Sequence, residues 1–223
     1  MFFFLGIMKT FIIFVALVAA VSCSDECYRD VVAICDLSSE EVALTECDAK
    51  YGGIDNIESS FQGMANTFLY KSLDFLLMAT LYGNYERGRP GFQKFFQSLS
   101  DQLWDDGINT IKYITDRGGE MNFNNIPIYL QEDRTCSEPS ELEAIGKALD
   151  STKKMARVVF ELHKEASGQY YDPEIARYLE DEYMAKQKDI IRTLAGHAKD
   201  LSSLLDGPDA PLGLYWFDKH LQE

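Results

Sequence analysis

From about Ile57 to the end of the chain, apolar residues return every three or four positions, the period of helices that bury one face. A first helix is predicted over about residues 57–82, with Phe61, Ala65, Phe68, Ser72, Phe75 and Ala79 on its inner stripe. The turn-rich GNYERGRPG closes it, and a second helix starts after Pro90. That helix buries Phe92, Phe96, Leu99 and Leu103, then continues through Asp106, Thr110 and Tyr113 to an RGG ending. Asp106 breaks the apolar pattern. Residues 118–139 form a connection of roughly twenty residues, long enough to cross a bundle. Ser140 and Glu143 then make a capping box for a third helix, striped by Leu142, Ile145, Leu149, Thr152, Met155, Val159 and Leu162. Asp172 and Pro173 open a fourth, whose stripe is Ile175, Leu179, Tyr183, Gln187, Ile190, Leu194, His197 and Leu201. A short aromatic segment, APLGLYWFDKHL, ends the pattern, and its lack of a polar face predicts burial against other subunits. Helices of this length span about 40 Å. The expected class is all-α: four long helices with a crossover between the second and third, and a short fifth.

Upstream, the pattern is different. Residues 1–23, MFFFLGIMKTFIIFVALVAAVSC, read as a secretory signal: Lys9, an apolar run over residues 11–21, then small residues. The run is too short for a good membrane span. Met8, directly before Lys9, makes an alternative start, and cleavage is expected near Cys23 or Ser24. Residues 24–56 form a cysteine-containing extension and residues 57–223 the helical domain. Cys27, Cys35, Cys47 and Cys136 are expected to be disulfide-bonded in an oxidising compartment, and no N-x-S/T sequon is present. Three cysteines in one short segment leave one to reach Cys136, stay free or cross to another chain. They lack the CxxC spacing and nearby histidine of a zinc site.

The net charge is −15, and removal of the signal, with Lys9 and no acid, takes it to −16. That balance excludes nucleic acid and anionic membranes as natural partners. It suits solubility or the handling of cations.

LYKSLDFLLMA, GFQKFFQSLSDQLWDDG with RGGEMNF, ELEAIGKALD, VFELHKEAS, DPEIARYLEDEY, LAGHAKDL and LYWFDKHL occur in that order. Together they resemble a ferritin subunit from about residue 57 onward, and imply the ferritin-like four-helix bundle. The signal and the cysteine-bearing extension further resemble the secreted ferritins of insects, in particular their light-chain homologue. Ferritin heavy-type subunits oxidise Fe(II) at a di-iron centre inside the bundle. Laid over this chain, the family's first glutamate falls on Phe68, its tyrosine on Phe75, and its second-helix glutamate and histidine on Leu103 and Asp106. The third-helix glutamate falls on Thr152, and only the glutamine is matched, by Gln187. The resemblance therefore implies a subunit without a ferroxidase centre, and a network among Asp106, Thr152 and Gln187 is expected in its place.

Light-type subunits carry acids where the ferric mineral nucleates. The matching positions are Ser98, Asp101, Gln102 and Asp105, so Asp101 and Asp105 survive, four apart on one face. At the three-fold channel the matching residues are Arg177 and Glu180. An Arg ring repels Fe(II), unless Arg177 simply pairs with Glu174 or Asp181. The implied function is a non-catalytic subunit of a secreted shell of 24, with a heavy-type partner and iron as cargo. Two alternatives are a divergent ferroxidase using Glu143, Glu180 and Glu182, and a secreted helical carrier or signalling protein.

Overall fold

The computed structural model describes residues 49–124 and 139–223; the signal, the extension to residue 48 and Cys27, Cys35, Cys47 and Cys136 lie outside the described residues. Residues 48–223 group as one compact unit. Its helices are α1 (Ile54–Gly83), α2 (Pro90–Asp116), α3 (Glu141–Lys164), α4 (Pro173–Leu179), α5 (Ala185–Leu205) and α6 (Ala210–His220). A π-helical turn, Glu165–Gln169, extends α3, and another, Glu180–Met184, joins α4 to α5 into one long fourth helix. The described residues contain no strand.

The contacts at the two ends of the bundle give the topology. At one end, Arg117 after α2 bonds Tyr51 before α1 and Asp172 before α4, and Ser60 of α1 bonds Glu165 at the end of α3. At the other, the Tyr82 hydroxyl donates to the carbonyl of Ser140 at 3.1 Å, and Phe92 packs on Phe217. Thus α1 and the fourth helix run one way, α2 and α3 the other, and Arg117 and Ser140 lie at opposite ends of the bundle. This is the up-down-down-up arrangement of a ferritin-like bundle.

The stripes read from the sequence are mostly the core. All six residues of the α1 stripe are buried, as are Phe92, Phe96, Leu99, Leu103, Thr110 and Tyr113 of α2. The Ser140–Glu143 capping box forms, and the Asp172 carboxylate accepts from the amides of Glu174 and Ile175. On α3, Leu142 and Leu149 are only half-buried, and Ala144 and Ala148 take the innermost line. Helix α1 begins at Ile54, about one turn before the expected start. Gly53 has no side chain to cap that helix, and its amide is satisfied instead by Asp172, 119 residues away.

The terminal helix docks by a similar loan. No side chain of Arg89 caps α2. Asp218 of α6 does so, its buried Oδ1 accepting from the amides of Gly91 (2.9 Å) and Phe92 (3.1 Å). Phe217 faces inward beside it, while Leu212, Tyr215 and Trp216 remain exposed.

Candidate functional site

Phe68, Phe75, Leu103 and Thr152, from three different helices, are all buried in the bundle interior. Phe68 packs on Tyr183 at 5.4 Å and Phe75 on Phe96 at 6.2 Å, so both rings belong to the aromatic core. The Thr152 hydroxyl donates to the carbonyl of Ala148 in its own helix at 2.9 Å. Gln187 is buried as well.

The expected network among Asp106, Thr152 and Gln187 does not form. Asp106 turns instead towards Lys186, whose ammonium lies 3.7 Å from its carboxylate and 3.1 Å from Glu182. The reason is cost: a carboxylate leaving water is stabilised far better by a cation than by a hydroxyl already spent on its own helix. Burial pushes the Asp106 carboxyl up to about 6, against the pull of Lys186. Because this value lies above the ordinary 3.8, the ionised side chain destabilises the fold. That cost is full above about pH 6 and fades as pH falls towards the ordinary value. Asp106→Asn is therefore expected to stabilise by about 1–2 kcal/mol at neutral pH, with the gain shrinking at pH 4. Urea unfolding at the two pH values checks this.

Next to Asp106 is a cluster that the sequence did not reveal. Tyr183 sits within the π-helical turn, where the extra residue lets Tyr178 and Tyr183, five apart, meet hydroxyl to hydroxyl at 2.9 Å. The Tyr183 hydroxyl also contacts Thr110 at 2.9 Å and donates to the Asp106 carbonyl at 3.3 Å. Tyr178 stacks on Tyr113 with ring centroids 3.8 Å apart, and Phe61 packs against both. Burial drives the Tyr113 and Tyr178 hydroxyls well above their ordinary value and Tyr183 to about 12. They stay protonated, as neutral hydrogen-bonding groups. Tyr113 and Tyr183 fall on the stripes read from the sequence, but Tyr178, five residues before Tyr183, carried no signal, because the π turn that aligns the two is invisible in a 3.6-residue pattern.

Arg117, from RGG, is the buried centre of one end. It donates to Asp172 at 2.9 Å and to the Tyr51 carbonyl at 2.8 Å, pairs with Glu174 and Tyr113, and lies 4.0 Å over the Tyr51 ring. Burial alone would raise the Asp172 carboxyl, but the Gly53 amide and Arg117 outweigh it and hold it below its usual range. The glycine after Arg117 is required: Gly118 has φ +78°, and a Cβ there would meet the Lys50 amide nitrogen at 2.7 Å.

The remaining positions lie outside this core. Asp101 and Asp105 are both exposed on α2 alongside Ser98 and Gln102, and Asp101 accepts from the Gln97 amide at 2.7 Å. Arg177 pairs with Asp181 at 3.2 Å, and Glu180 meets His163 at 2.7 Å. Glu143 is spent on its capping box and Glu182 on Lys186, so the three acids of a divergent oxidase have separate partners. Among the described residues, no group of three or more His, Cys, Asp or Glu is placed to hold a metal ion. Nor is any described helix long and apolar enough to cross a membrane.

Known proteins place this architecture. The family described as a ferritin-like domain matches residues 64–204. A ferritin light chain of Trichoplusia ni is 40% identical over 229 residues, covering 97% of this chain and 99% of that one. A ferritin light chain of Drosophila melanogaster is 38% identical over 203 residues, covering 88% and 89%. The crystal structure of Trichoplusia ni secreted ferritin matches with a TM-score of 0.75 at 40% identity, covering 88% of this chain and 97% of that one. With its helices in the ferritin order and such relatives along nearly its whole length, this chain belongs to the ferritin family of iron-storage proteins.

Proposed function

We propose that this chain is a non-catalytic, light-chain-like subunit of a secreted ferritin shell, holding iron as cargo while a heavy-type partner oxidises Fe(II). The observation that carries this reading is the chemistry of the buried positions. Iron oxidation needs several hard oxygen ligands converging on an open site, and Phe68, Phe75, Leu103 and Thr152 supply at most one hydroxyl, already bonded to Ala148. The one acid beside them, the half-buried Asp106, is tied to Lys186. The light-chain names of the relatives and the secreted status of the matched structure point the same way. So does the signal-like segment over residues 1–23.

Within this reading, Asp101 and Asp105 present a pair of exposed carboxylates on which hydrous ferric clusters grow. Arg177 pairs with Asp181, so it makes no bare repelling ring; but with an Arg at one position and Glu180 held by His163 at the other, this chain's own channel offers Fe(II) no free carboxylate there. Iron then enters through openings lined by the partner. The exposed apolar face of α6 is buried between copies in a shell of 24, and the cysteines of the extension staple it or link it to a neighbouring chain. A divergent ferroxidase has no comparable support, since Glu143, Glu180 and Glu182 are each committed elsewhere. An isolated helical carrier or signalling protein is disfavoured by the family match.

Reconstituting shells with different shares of heavy-type subunit tests the division of labour. The initial oxidation rate should scale with the number of heavy chains and extrapolate to the protein-free rate without them. Replacing both Asp101 and Asp105 by Asn should leave that rate unchanged and slow growth of the mineral core. A core that grows at the parent rate removes the pair from the nucleation role.

A further inference from the structure

The terminal helix α6 is fastened to the bundle at a second point, which the iron role does not use. His197 of α5 is half-buried in a pocket of rings, edge-to-face with Phe95 of α2 at 5.3 Å and with Phe217 of α6 at 5.6 Å. His220 of α6 stands 6.3 Å from it, ring to ring. We propose that His197, packed between Phe95, Phe217 and His220, forms an acid-sensitive latch, which holds α6 against the bundle at neutral pH and loosens it as the His197 ring takes up a proton.

While neutral, His197 packs as one more aromatic ring, and its contact with Phe217 supports the neighbouring Asp218 cap. Once protonated, it becomes a partly desolvated cation packed among rings, with the His220 ring beside it. The charges around the pocket do not remove this cost. Lys94 of α2, next to Phe95, sends its ammonium to the Gln222 carbonyl just beyond α6, adding positive charge on that side. Asp218 of α6 is occupied by the Gly91 and Phe92 amides and by the Gln222 side chain. Glu223 lies 4.0 Å from Nδ1 of His220, not against His197. Only Asp200, on the helix of His197 itself, favours its charge.

Burial, then His220, hold His197 below its ordinary value of 6.5, with Asp200 opposing them. A histidine depressed on docking binds fewer protons docked than free. Its contribution to docking is therefore full above the ordinary value and is lost as pH falls below it. The exposed Leu212, Tyr215 and Trp216 ride on α6, so acidification would move the apolar surface that this helix presents.

Hydrogen–deuterium exchange of the full chain as purified, at pH 7.5, 6.5 and 5.5, reads the latch without reference to iron. Failure of the latch and failure of the iron role are thus separate results. After correction for intrinsic rates, peptides over residues 210–222 should lose protection between pH 7.5 and 5.5, by up to about tenfold, while those of α1 do not. His197→Phe keeps a ring and removes the proton site, and should flatten the profile; His220→Gln should reduce its slope. If the phenylalanine variant does not fold, His197→Gln takes its place in the same comparison. A flat wild-type profile overturns the latch, as does a wild-type slope retained without His197.

Discussion

Arg117→Ala should lose about 3–5 kcal/mol of unfolding free energy, the largest single effect expected in the bundle. The side chain is 4% exposed, and its guanidinium serves α1 through the Tyr51 carbonyl, α2 through Tyr113 and α4 through Asp172 and Glu174. Truncation leaves the Asp172 carboxylate, also 4% exposed, without its cation. An uncompensated buried charge costs far more than an intact pair contributes. The Gly53 amide cap depends on the same carboxylate, so the start of α1 should fray as well. Arg117→Lys restores the charge but not the fork that reaches several acceptors at once, and should recover only part of the loss. Denaturant unfolding of the three proteins decides. A shift below 1 kcal/mol in the alanine variant would remove Arg117 from its central place.

Gly91→Ala should have the next largest effect, although alanine ordinarily favours a helix. A Cβ at this position overlaps the Asp218 carbonyl oxygen and lies 2.8 Å from its carbon, so backbone has to move. The α6 helix would lift from the start of α2, losing both amide caps and exposing Phe217, at a cost of about 2–4 kcal/mol. Asp218→Ala removes the caps without the clash and should cost less, about 1–2 kcal/mol. Thermal melts give the order, and exchange at residues 210–222 shows whether the loss is local to α6. Equal stability of Gly91→Ala and its parent would show that the close approach is relaxed at no cost.

Much of the bundle was legible because its signals are local. Ser140 with Glu143 and Asp172 with Pro173 announce helix starts by chemistry contained within four residues. The Phe61–Ala79 stripe announces a buried face by its period alone. The contacts that are not legible depend on residues far apart in sequence. Asp218 looks like a polar interruption in an aromatic helix until the fold brings it to the open amides of Gly91 and Phe92. Arg117 looks like an ordinary basic residue at a helix end until α1 and α4 arrive around it. On α3, a stripe chosen by bulk favoured Leu142 and Leu149, yet the innermost line went to Ala144 and Ala148. The π turn between α4 and α5 inserts a residue that no 3.6-residue pattern anticipates, and with it the Tyr178–Tyr183 contact.

The candidate site was legible in a different way. The resemblance points to Phe68, Phe75, Leu103, Asp106 and Thr152, and the first three and Thr152 are interior. The partner of Asp106 was not found, because Lys186 reaches it from another helix across the bundle surface. A buried-looking acid in a sequence predicts that it will have a partner, not which one.

Oxygen consumption after adding Fe(II) to particles of this chain alone, free of any heavy-type subunit, tests the central claim most directly. The account predicts a rate equal to that of Fe(II) in the same buffer, with no saturable protein-dependent phase. Catalysed oxidation that rises with the concentration of this chain and saturates with Fe(II) would contradict it.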